Sequence, residues 1–91
     1  MMNDVEAIKI IIMDAFYEYK APFEYTKQEF DLIKQIDYSN SIEKLEKLIN
    51  SKEYVKIREA IVQDSFYSNL KNNGYLPVQI NFVERIKNST E

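Results

Sequence analysis

The segment LPVQINFVERIK, Leu76 to Lys87, decides the fold class. Read in twos, Leu76, Val78, Ile80 and Phe82 alternate with polar or turn-forming neighbours, the pattern of a half-buried strand. Read at helical spacing, Val78, Phe82, Val83 and Ile86 share one face. Pro77 then takes the first helical position, where its missing N–H costs nothing. A strand needs a partner strand, and no other stretch of the chain reads clearly as one. The helix is therefore the favoured reading. A strand here would have to pair with another chain or with a segment whose pattern conceals it.

Working outward, KNNGYLP (Lys71–Pro77) contains the only glycine of the chain. Gly74 suits the left-handed position after a helix, with Pro77 shortly beyond. The helix it would close starts at Ser51 and carries Val55, Val62, Phe66 and Leu70 on its apolar side. Before it, Ile42, Leu45, Leu48 and Ile49 face inward, with Glu43, Lys44, Glu46 and Lys47 outward. TKQE (Thr26–Glu29) opens an earlier segment as a capping box, with Phe30, Ile33 and Ile36 on one face and Leu32 beside them. The first segment is capped by Asn3, with Glu6 placed to complete a second box. Its stripe of Val5, Ile8, Ile12, Ala15, Phe16 and Tyr19 ends near Lys20, because Pro22 disfavours helical geometry at Ala21. One glycine and two prolines are too few for an all-β chain with many tight turns. The expected architecture is all-α: a compact bundle of four or five short helices in a single domain, 1–91.

Composition narrows the chemistry. Of 91 residues none is Cys or His, which removes thiolate chemistry, Cys-based metal sites and the commonest general base. No P-loop, dinucleotide fingerprint or EF-hand loop occurs, so no cofactor is implied. SIEK (Ser41–Lys44) has the spacing in which a lysine can activate a serine, but the companion motifs of that chemistry are absent. Asp14 and Glu18 lie four apart on one helical face, and Asp64 would join them if the two helices ran side by side. Such carboxylates can share a metal, but a solvated acidic face is the simpler reading. No catalytic residue and no metal ligand is assigned, and an enzyme is disfavoured.

The net charge of −3 is mild. Residues 1–20 and 21–37 each hold four acids against two bases, and 51–74 holds four bases against three acids. No run of like charge forms the footprint of a general nucleic-acid binder. The alternative of a helix-turn-helix DNA-binding regulator rests on residues 26–50, whose second helix would offer Lys44 and Lys47 to phosphates beside Glu43 and Glu46. The start of the chain lacks a basic stretch and AIKIIIM (Ala7–Met13) is too short to span a bilayer, so no membrane partner and a cytoplasmic location are expected.

Apolar residues on the far side of the first helix point to a protein partner or to self-association. Ile10, Met13 and Tyr17 lie nearly opposite its main stripe, and Ile57, Ala60 and Tyr67 lie well round from Val62 in the fourth segment. Helices apolar on two sides are central in a bundle or covered by another molecule. Aromatics gather at the end of the first helix: Phe16, Tyr17, Tyr19, Phe23 and Tyr25. Phe16 and Phe23 read as core, and Tyr17 and Tyr25 as shared between core and interface. MDAFYEY (Met13–Tyr19) has a near-echo in QDSFYSN (Gln63–Asn69); its Phe half reads as packing and its Tyr half as contact. The candidate protein-binding residues are Ile10, Met13, Tyr17, Tyr25 and Tyr67.

Overall fold

Asn3 starts the first helix, α1 (Asp4–Tyr19), by accepting the Glu6 N–H on its side-chain oxygen at 2.9 Å. A cap of this kind contributes about 1 kcal/mol. Asp4 and Glu6 in the first turn complement the positive end of the helix dipole. The buried face is broad: Ala7, Ile8, Ile11, Ile12, Ala15 and Phe16 are all fully enclosed. That breadth lets α1 occupy the middle of the molecule. Lys20 and Ala21 are extended ahead of Pro22, which ends the helix as expected.

The computed structural model describes residues 3–89, and among these the chain forms six α-helices and no strand. The expectation of four or five helices is thus one short at best. After a single 3-10 turn at Pro22–Glu24 comes α2 (Lys27–Tyr38), opened by the reciprocal capping box of Thr26 and Glu29. Its core face is Leu32 and Ile36. Phe30 is half exposed, and Phe23 is 89% exposed, so neither closes the core as its chemistry suggested. α3 (Ile42–Asn50) is capped by the Ser41 hydroxyl and buries Leu45 and Ile49, with Ile42 and Leu48 packed beside them. Its C-terminal carbonyls are held from outside. Arg58 donates to Ile49 O at 2.7 Å and Ser51 O at 3.0 Å, and the Ser51 hydroxyl donates to Leu48 O. Ser51 therefore seals the helix behind it and gives no side-chain cap to the turn ahead.

The largest correction concerns residues 51–73. In place of one helix there is a 3-10 turn (Lys52–Tyr54), then α4 (Val55–Ile61), then α5 (Asp64–Asn72). Val62 leaves helical geometry and Gln63 is extended (φ −67, ψ 139). The reason lies in the phase of the apolar residues. At about 100° per residue, Phe66 falls roughly 180° from Ile57 on a straight helix. One rod could not bury both, whereas two helices with a bend between them bury Ile57, Ala60 and Ile61 together with Phe66 and Leu70. Ile57 and Ala60 are core, so the two-sided pattern here marks a change of axis rather than a partner surface. Val55, expected inward, is exposed.

α5 ends at the left-handed Gly74 (φ 72), and Tyr75 N–H closes back on Leu70 O at 3.3 Å. Pro77 begins α6 (Pro77–Ser89), which settles the helix-or-strand question in favour of the helix, with Phe82, Val83 and Ile86 buried. α1 packs against α2, α3, α4 and α6; α5 rests on α4 and α6. Two polar contacts cross this core. Tyr54 donates its hydroxyl to Leu32 O at 2.8 Å. Gln79 accepts the Leu76 N–H and donates to Ala7 O, each at 2.8 Å, so both ends of its amide are satisfied.

Candidate functional site

The outer face of α1 is the part of the central helix that no other helix covers. Ile10 is 39% and Tyr17 55% exposed, with Met13 half-buried between them. These three stand at spacings of three and four, and so form one ridge. Beside them the Tyr75 hydroxyl donates to Asp14 Oδ2 at 2.7 Å and ties the α5–α6 turn to α1. This bond, together with the burial of Tyr75, raises the phenol above its ordinary range and keeps it a donor.

Three depressions meet around that hydrogen bond. The first, a cleft of about 460 Å³, runs between the C-terminal half of α1 and α5, floored by Phe66 and Leu70 and edged by Asp14, Tyr17, Glu18 and Asn69. A second, about 290 Å³, lies along Lys9, Ile10, Met13 and Tyr17. The third, about 340 Å³, lies between Ile10 and the turn of Gly74, Tyr75 and Leu76. Asp14 and Tyr17 border the first two, and Ile10 the last two, so the depressions form one continuous surface.

The remaining candidates sit elsewhere. Tyr25 is wedged edge-on between Phe16 and Phe30, at 6.0 and 5.6 Å between ring centres, with its hydroxyl buried and unpartnered among the described residues. Tyr67 faces α6: its hydroxyl donates to Glu84 and its ring lies under Lys71 and Lys87. The structure thus groups Ile10, Met13 and Tyr17 and separates Tyr25 and Tyr67 from them. The echo of MDAFYEY and QDSFYSN resolves similarly. Phe16 and Phe66 are both buried, whereas Tyr17 is open and Tyr67 is engaged within the chain.

Asp64, the third carboxylate considered with Asp14 and Glu18, does not line the cleft; it faces Lys87 at 3.4 Å. Among the described residues no group of three or more acids gathers with metal-site geometry. In the segment considered for DNA, α2 and α3 are consecutive helices that both rest on α1. Lys44 donates to Asn40, and Glu46 is paired with Arg85 at 2.8 Å. Among the described residues no helix is long and apolar enough to cross a membrane.

The sequence pattern missed the turn. Tyr75, Asn73 and Leu76 supply a wall of the surface, and the available signal was Gly74 itself. A left-handed residue after a helix sends the chain back across its last turn, so the residue that follows packs near it. Comparison with known proteins adds no relative to this picture: no family model, no curated protein and no solved structure matches the chain.

Proposed function

We propose that this chain is a small non-enzymatic protein-binding or regulatory protein that acts through the outer face of α1, with Ile10, Met13 and Tyr17 as its contact residues. The observation that carries the reading is the exposure of Ile10 and Tyr17 on a helix whose other side is fully enclosed. Neither side chain belongs to the core or to the partly buried side chains packed against it. Scattered exposed apolar residues are ordinary on any surface. Here they are contiguous, share one helix and border concave ground, which is how interface anchors are arranged. Tyr17 fits such a role because a tyrosine buries a large area at low conformational cost.

The test separates contact from folding. In Ile10→Ser/Tyr17→Ala the monomer should keep its melting temperature to within a few degrees. Association, whether with a protein captured from the native cell or with a second copy in sedimentation equilibrium, should fall by at least about tenfold. A large drop in melting temperature of the monomer would place these side chains in the core and end the proposal. So would unchanged association.

A further inference from the structure

The charge around the α1–α5 cleft specifies what should occupy it. Asp14 and Glu18 are the charged side chains that line it, four residues apart on the same helix. Like charges at this spacing repel, and the last turn of α1 contains Glu18 and no base, against the preference of a helix C-terminus for cations. The nearest cations along the chain are turned away. Lys20 is bound to Glu29 at 3.0 Å, and Lys71 lies over the Tyr67 ring at 4.8 Å. Glu18 is exposed and has no hydrogen bond or ion pair among the described residues. The negative charge of the cleft is thus left uncompensated by the fold, directly above an apolar floor of Phe66 and Leu70 and beside the exposed Tyr17 ring.

We infer that the cleft receives a basic segment of a protein partner. An arginine or lysine of that segment lays its aliphatic stem against the exposed Tyr17 ring, above the enclosed Phe66 and Leu70, and sets its charge between Asp14 and Glu18, while flanking apolar residues continue over Met13 and Ile10. Long basic side chains suit such a site because their stems are apolar and only their ends are charged. The tyrosine face adds a cation–π contribution. The hydrogen bond from Tyr75 is taken by Asp14 Oδ2, which holds the side chain in place and leaves its other oxygen open as an acceptor. This inference rests on the reading of the α1 face as a protein-binding surface, and adds the chemistry of the partner.

The probe is a short helical peptide of leucine and arginine at spacings of three and four, with twins carrying glutamine or glutamate in place of arginine. Binding is followed on the amide resonances of the full chain. The arginine peptide should shift Asp14, Tyr17, Glu18, Asn69 and Tyr75, more strongly at low salt, and the glutamine twin should bind about tenfold more weakly or worse. Glu18→Lys should weaken the arginine peptide by about tenfold. Glu59→Lys, the same charge change at an exposed position outside the cleft, should leave it within about twofold. If all three peptides bind alike over Ile10, Met13 and Tyr17, the basic partner is wrong while the binding face stands. Equal losses in the two lysine variants, or no binding by any peptide, overturn the inference as well. If the same resonances move with protein concentration alone, the occupant is a second copy, which also overturns it.

Discussion

Glu29 shows how much one side chain can carry at the surface of a small domain. Its carboxylate accepts the Thr26 N–H at 2.8 Å and the Lys20 ammonium at 3.0 Å, which joins the end of α1 to the start of α2. The backbone donor is the main cause of a carboxyl pKa lowered to about 2, and Lys20 adds to it. The direction of the pH effect follows. Between the ordinary glutamate value and about 2 the unfolded chain binds the proton and the folded chain does not, so stability rises with pH across that window. The contribution is complete above the ordinary value and is lost as pH falls through about 2. Glu29→Gln should lower stability at neutral pH and flatten the acid limb of a plot of unfolding free energy against pH. The wild-type slope persisting in the variant would show that other carboxylates set it.

At the scale of elements, the ends of helices were more legible than their axes. Asn3, Thr26, Ser41, Gly74 and Pro77 each act at a helix terminus as their chemistry suggests, because a cap or a left-handed turn depends on a few adjacent residues. The bend between α4 and α5 has no glycine or proline to announce it. It is forced by the tertiary need to bury Ile57 and Phe66 together, which a local reading could register only as a helix with two apolar sides. On α1 the same two-sided signal had the other origin, an uncovered face. One contact of α6 was hidden for a related reason: beside the expected Phe82, Val83 and Ile86 the buried side includes Gln79, a polar residue that no apolar pattern includes. Gln79 bonds Leu76, just ahead of its own helix, and Ala7 in α1, so Gln79→Met, which keeps the volume, should cost about 2 kcal/mol in urea unfolding, about 1 for each bond. Gln79→Glu should cost more at neutral pH, since a carboxylate oxygen would then face Ala7 O, and should recover part of the loss on acidification. A methionine variant as stable as the parent would show that these bonds contribute no net stability.

For the whole molecule, the arrangement of helices implies an order of opening. α1 touches four other helices and its buried face has no exposed break, so its amides can exchange only when the core is lost. α5 is nine residues long, buries only Phe66 and Leu70, and has no side-chain cap at its start. Its ion pair to α6, Asp64–Lys87, is largely open to solvent and so contributes little. Besides the burial of Phe66 and Leu70, α5 is held by the turn through Gly74, the bond from Tyr75 to Asp14 and the bond from Tyr67 to Glu84 in α6. The amides of α5 should therefore exchange through a local opening of lower free energy than those of α1, and Tyr75→Phe should lower that free energy by about 1 kcal/mol while leaving the global value for α1 changed less. Because α5 is also one wall of the acidic cleft, a ligand seated between Asp14 and Phe66 should raise the protection of α5 more than that of α1. Native-state hydrogen exchange measures all three quantities in one experiment. If α5 and α1 exchange with the same free energy, the molecule opens as one unit, and the cleft is a fixed groove rather than a site that binding tightens.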